Sequence, residues 1–193
     1  MKKKILASVL ACVLLIGVGV GGTLAWLADD TDTVTNTFVV GDINISLEES
    51  VESNFKIIPG GTDPKDPVLT VEEESELCYV YVCVENNVVL DGVVVATPNI
   101  SGTDWVSIGT SGTKTVYRYA GNKATDGVVD AYSAAVELDV FTEVSYSEDI
   151  EKGDIGTLAN TTIVISGYAH QSENVDLADA DAAALEHFEI PTT

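Results

Sequence analysis

"CYVYVCV" (Cys78–Val84) is the stretch that decides how this chain folds. In a β-strand successive side chains point to opposite faces. Tyr79, Tyr81 and Cys83 fall on one face here, and Val80, Val82 and Val84 on the other. Both sets are apolar, and β-branched and aromatic residues favour extended chain. The stretch reads as a central strand covered on both sides. Cys78 and Cys83 stand at an odd offset, which aims them at opposite faces. Two separate buried thiols are expected, with no disulfide between them. Neither a CxxC pair nor a zinc-type spacing occurs.

Outward from this strand the rhythm is period two. Ile43, Ile45 and Leu47 alternate with Asn44, Ser46 and Glu48, and Val136, Leu138 and Val140 with Glu137 and Asp139. Such alternation predicts strands with one wet face. Asp91-Gly92, between "VVL" and "VVVAT", predicts a tight hairpin. Ser111-Gly112 separates "WVSIG" from "TKTVYRY". "IIPGGTDPKDP" (Ile57–Pro67) reads as a loop, because Pro59, Pro64 and Pro67 exclude helix and interior ladder positions. "EDIEKGDIG" (Glu148–Gly156) reads as an exposed connection. One helix is expected, over "DLADADAAALEHFE" (Asp176–Glu189), with a weak stripe of Ala178, Ala182, Leu185 and Phe188 or Glu189. Asp179 and Asp181 suit its positive N-terminal end. No internal repeat is visible. Many short strands and one terminal helix predict an all-β, antiparallel sandwich.

The two ends of the chain differ in charge. Lys2, Lys3 and Lys4 precede 24 uncharged residues, Ile5–Ala28. A short positive stretch, an apolar run and small residues at Thr23 and Ala25 describe a secretory signal, cut before Trp26. The expected organisation is a leader over 1–25 and one domain over 26–193. A retained anchor is the alternative, since roughly 20 apolar residues cross a bilayer. Both readings put the body outside the cytoplasm. The whole chain has 31 acids against 9 lysines and arginines, a net charge of -22. That field repels nucleic acid and anionic lipid, so no nucleic-acid partner is expected, and membrane contact only through an uncut leader.

"GGTLAWLADDTDTVTNTFVVGDINISLEE" (Gly21–Glu49) resembles the leader and first strand of the TasA/camelysin family, secreted proteins with SipW-type signal peptides. "IIPGGTDPKDPVLTVEEESELCYVYVCVE" is similar to that family's Pro-Gly loop and following strands, and "TIVISGYAHQSENVD" to its last strand and tail. The resemblance implies a jelly-roll-like β-sandwich, cleavage by a dedicated signal peptidase, and a place in the extracellular matrix or on the cell surface. TasA-like members form fibres in which the N-terminal strand of one subunit fills a groove in the next. Camelysin-like members are described as metallo-endopeptidases. On this reading the cut frees "TVTNTFVV" (Thr33–Val40), which is uncharged and proline-free. Val34, Phe38 and Val40 share one parity and would fill alternate pockets on an acceptor edge. The partner is another copy or a related matrix subunit. Gly41–Leu47 is expected to pair within its own subunit.

Catalytic signatures are scarce. His170 and His187 are the two histidines, and HExxH, GxSxG, Walker and dinucleotide motifs are missing. No catalytic residue and no cofactor is expected. Zinc on His170 and His187 with Glu173 or Glu186 is the alternative, as is calcium on Asp29, Asp30 and Asp32 or on Asp176, Asp179 and Asp181. Trp105, Tyr117 and Tyr119 offer a third reading, an aromatic sugar-binding face.

Overall fold

The computed structural model describes residues 41–50 and 57–191. Among them the chain forms β1 (Ile45–Glu49), β2 (Thr62–Pro64), β3 (Pro67–Val71), β4 (Cys78–Asn86), β5 (Val89–Leu90), β6 (Val93–Val94), β7 (Ala96–Pro98), β8 (Trp105–Ser111), β9 (Lys114–Tyr119), β10 (Ala124–Thr125), β11 (Val128–Val129), β12 (Val136–Asp139), β13 (Glu143–Tyr146) and β14 (Ile163–Gln171). Two helices accompany them, a single turn α1 (Ile155–Leu158) and α2 (Leu177–His187). The described residues belong to one compact unit, Val40–Thr193.

β4 takes the central place that its two apolar faces require. It pairs along its full length with β14, and on its other side with β9 and β11. β8 and β10 complete a six-stranded sheet. Smaller sheets, β1-β3-β12 and β2-β13-β7, lie across from it. Every pairing is antiparallel. Val80 and Val82 of β4 join Leu69, Val71, Trp105 and Leu138 in the core between the sheets. Tyr79, Tyr81 and Cys83 join Val116, Ala184 and Phe188 in a second core beneath α2. The all-β sandwich with a short C-terminal helix is thus as the sequence predicts. Both thiols are free and buried, one in each core. β1 pairs with β3 of its own subunit, as expected for the end of the opening strand.

Glycines mark the closest approaches. A Cβ on Gly167 of β14 would lie 2.7 Å from Leu69 Cδ1, so only glycine lets β14 sit this near β3. Asp91 and Gly92 both take positive φ, the type I′ signature of a two-residue hairpin. Asp126 and Gly127 do the same between β10 and β11.

The helix departs from the expected stripe. Ala180, Ala184 and Phe188 are buried, while Ala178 and Ala182 are exposed. The buried face is Leu177, Ala180, Ala184 and Phe188, one stripe at helical spacing, and beside it Asp181 pairs with Arg118 of β9 and accepts from the Tyr81 hydroxyl at 3.0 Å. Pro64 and Pro67 lie at the ends of β2 and β3, so the expected loop carries short strands whose ladders the prolines do not interrupt.

Candidate functional site

The edges of the sheets differ in one respect that bears on function. An exposed edge displays unpaired N–H and C=O groups that can pair with another chain. Most edges here are blunted. β1 ends in Glu48-Glu49, β2 and β7 are short and contain proline, and β12 carries Glu137 and Asp139. The register of β8 shifts between Ser107 and Gly109, a bulge that breaks its edge. β14 has none of these devices. Its nine residues pair in unbroken register with β4 alone, among the described residues. No Asp, Glu, Lys, Arg or Pro occurs from Ile155 to Ser172.

The ladder tells which backbone groups face outward. Asn87 N–H donates to Thr162 O, and Ser172 N–H donates to Leu77 O. Antiparallel bonds alternate, so the even-numbered residues of β14 bond to β4. Ile163, Ile165, Gly167 and Ala169 therefore turn their N–H and C=O groups away from it. At Gln171 the carbonyl faces the ring nitrogen Nδ1 of His170 at 2.8 Å, which closes this run at its far end.

A groove of about 800 Å³ opens at the start of β14. Ile57, Val88, Val144, Leu158 and Ile163 give it an apolar lining. Its polar groups are held in pairs: Lys65 Nζ lies 2.7 Å from Glu49, and the Tyr146 hydroxyl donates to Asp63 at 2.8 Å. Burial, reinforced by the bond to Asp63, pushes the Tyr146 hydroxyl pKa well above its ordinary value. An apolar groove continuous with open strand backbone is the combination that binds an extended peptide, with main-chain bonds for affinity and pockets for alternate side chains.

On the opposite face of β14, Tyr168 is the hub of a ring cluster. His187 stacks on it with centroids 4.4 Å apart and 20° between planes. His170, Phe188 and Tyr81 approach it at 6.0–6.2 Å. The fold thus brings both histidines to one tyrosine. Glu173 and Glu186 are exposed, and among the described residues no three His, Cys, Asp or Glu side chains gather into a metal-binding group.

The other sequence-based candidates fall as follows. Asp176 is the N-cap of α2, Asp179 lies in its first turn, and Asp181 is paired with Arg118. The aromatic sugar face is overturned by burial. Trp105 and Tyr119 are 1% and 4% exposed, and the Trp105 indole donates to Asp139 O at 2.8 Å. Strand parity turns these rings, with Tyr117, into the core. The cleavage positions Thr23, Ala25 and Trp26, the tail residues Val34, Phe38 and Val40, and Asp29, Asp30 and Asp32 lie outside the described residues.

Residues 1–89 match the family described as camelysin metallo-endopeptidase. The N-terminal part of this chain is camelysin-like. The resemblance read from the leader, the opening strand and the Pro-Gly loop is thereby borne out. The matched region runs through β4 and ends at Val89, short of β14, α2 and both histidines. No curated protein and no solved structure matches the chain. Among the described residues no helix is long and apolar enough to cross a membrane.

Proposed function

We propose that the protein is an extracellular structural subunit that assembles by strand addition, with the open edge of β14 as acceptor and Thr33–Val40 of another copy as donor. The unblunted edge of β14 carries this reading. A nine-residue, uncharged, regular edge is a hazard in a protein that stays monomeric, and the chain blunts its other long edge, β8, with a bulge. The donor segment has the complementary character, uncharged and without proline. Cleavage after Ala25 by a dedicated signal peptidase would free it. Donor and acceptor surfaces differ, so the contact is heterologous and propagates as an open filament. A related matrix subunit could take the place of the second copy.

Electron microscopy of the secreted, processed protein tests the proposal. Filaments are expected, and Phe38→Asp or Val40→Asp in the donor should abolish them. Ser166→Lys places a charge on the exposed face of the acceptor strand, and should do the same while leaving the monomer's melting temperature unchanged. Filaments that persist in Ser166→Lys and Phe38→Asp alike would remove the basis for strand addition.

A further inference from the structure

We infer that His187 clamps the end of α2 to Tyr168 of β14, and that neither His187 nor His170 holds a metal. The family described as camelysin metallo-endopeptidase implies a metal centre. Catalytic zinc takes His, Cys, Asp or Glu ligands and keeps one position open. The supply of nitrogen and sulfur ligands in this chain is small and accounted for. There are two histidines and three cysteines in all, and Cys12 stands in the apolar leader. Cys78 and Cys83 face different cores. A zinc site with any nitrogen ligand must therefore use His170 or His187.

Their surroundings do not fit it. Two nitrogens bound to one zinc each lie about 2.0–2.1 Å from the ion. Here each ring is committed to Tyr168, His187 flat against it and His170 meeting it at 61°. His170 Nδ1 donates to Gln171 O, which leaves Nε2 as its one available nitrogen, and among the described residues no three His, Cys, Asp or Glu side chains gather around it. The acids nearest in sequence, Glu173 and Glu186, are exposed and form no ligand group with the histidines. The similarity to the metallo-endopeptidase family ends 81 residues before His170, at Val89.

The rings have a different use. α2 lies on the sheet through Ala180 and Ala184, with Leu177 and Leu185 partly buried beside them. Its middle is fixed by Asp181 to Arg118 and Tyr81. Its last turn is fixed by His187 on Tyr168, with Phe188 meeting both rings edge-on. Offset-stacked and edge-to-face rings attract beyond the area they bury.

Two measurements on the full chain test the inference. In thermal melts, His187→Ala should lower the melting temperature by about 2–4 °C, the shift expected for a contact of this size in a chain this long. His187→Phe, which keeps a flat ring, should restore it. An unshifted His187→Ala, or a His187→Phe as unstable as His187→Ala, would overturn the clamp. In calorimetric titration with zinc chloride, wild type and the His170→Gln/His187→Gln variant should give the same isotherm. One-to-one binding that vanishes in the double variant, or chelator-sensitive casein cleavage that vanishes with it, would overturn the exclusion of metal.

Discussion

Replacing Asp181 with alanine tests whether α2 is held down by its buried ion pair. Arg118 is the single arginine of the chain, and among the described residues its buried Nε atom has no hydrogen-bond partner. Asp181 supplies the counter-charge, and its other oxygen accepts from Tyr81, a fully buried residue. Removing the carboxylate leaves a guanidinium and a phenol without their acceptor. Stranding one partner of a fully buried pair costs about 3–5 kcal/mol. An exposed pair contributes about 0–1 kcal/mol. The two side chains are 17% and 23% exposed, which places the loss between these limits, at about 2–3 kcal/mol. A chain of this size loses about 2–4 °C per kcal/mol, so the melt should fall by about 4–12 °C. Circular dichroism melts at neutral pH would read this directly. The paired control is Arg118→Met with Asp181→Leu, which removes both charges and should recover to within about 1 kcal/mol of wild type. A wild-type melt for Asp181→Ala, or a double variant as unstable as the single, would refute the reasoning.

Three further outcomes follow from the same physics. Gly167→Ala puts a methyl 2.7 Å from Leu69 Cδ1, and the urea midpoint should fall by the equivalent of about 1–3 kcal/mol at unchanged slope. Glu189 holds φ +60° just past α2, where Ile190 N–H bonds to Leu185 O in a Schellman closure, so Glu189→Gly should gain about 1 kcal/mol in thermal melts. Burial pushes the Cys78 thiol up to about 11. The unfolded thiol ionises first, so stability is full below about pH 8.5 and is lost as pH rises toward 11. Chemical denaturation at pH 7 and pH 10.5 should show that decline, and Cys78→Ala should reduce it, the Cys83 thiol, also pushed up by burial, carrying part of the rest.

Period-two logic was sufficient for the sandwich. It located β4 and both thiols, because alternation is a local property that tertiary structure had no reason to override. It also locates the Asp91-Gly92 hairpin, while the identical dipeptide at Asp126-Gly127 joins strands of two residues each, too short to show alternation. The helix was legible as a helix but not in its rotation. Ala178 and Ala182 look as apolar as Ala180 and Ala184, and the buried stripe is the one that continues to Leu177 and Phe188, flanked by an Asp181 whose partner Arg118 stands 63 residues away. The aromatic face failed for a related reason. Trp105, Tyr117 and Tyr119 have the composition of a sugar platform, and only strand pairing shows that they turn inward. That β14 pairs with β4 alone among the described residues was beyond sequence reading, because an edge is defined by its neighbours. The run without charge from Ile155 to Ser172 was its one available sign.

The energetics of an added strand explain why an edge and a groove belong together. Ordering one residue of the donor costs about 1–2 kcal/mol. A backbone hydrogen bond returns about 0.5–1.5 kcal/mol, and a donor residue at an edge forms bonds to one side only. Backbone pairing along β14 thus comes close to balancing the ordering cost without exceeding it. The surplus has to come from side chains, at roughly 1.5–3 kcal/mol for each Val- or Phe-sized group fully buried. Ile165, Gly167 and Ala169 lie outside the apolar depression, which opens at Ile163. Affinity on this reading is concentrated at one end of the edge. A donor shortened at the end that enters the groove should lose assembly abruptly, while one shortened at the other end should lose it in proportion to the hydrogen bonds removed. Truncation from either end of Thr33–Val40 that weakens filaments to the same extent would show the groove to be irrelevant.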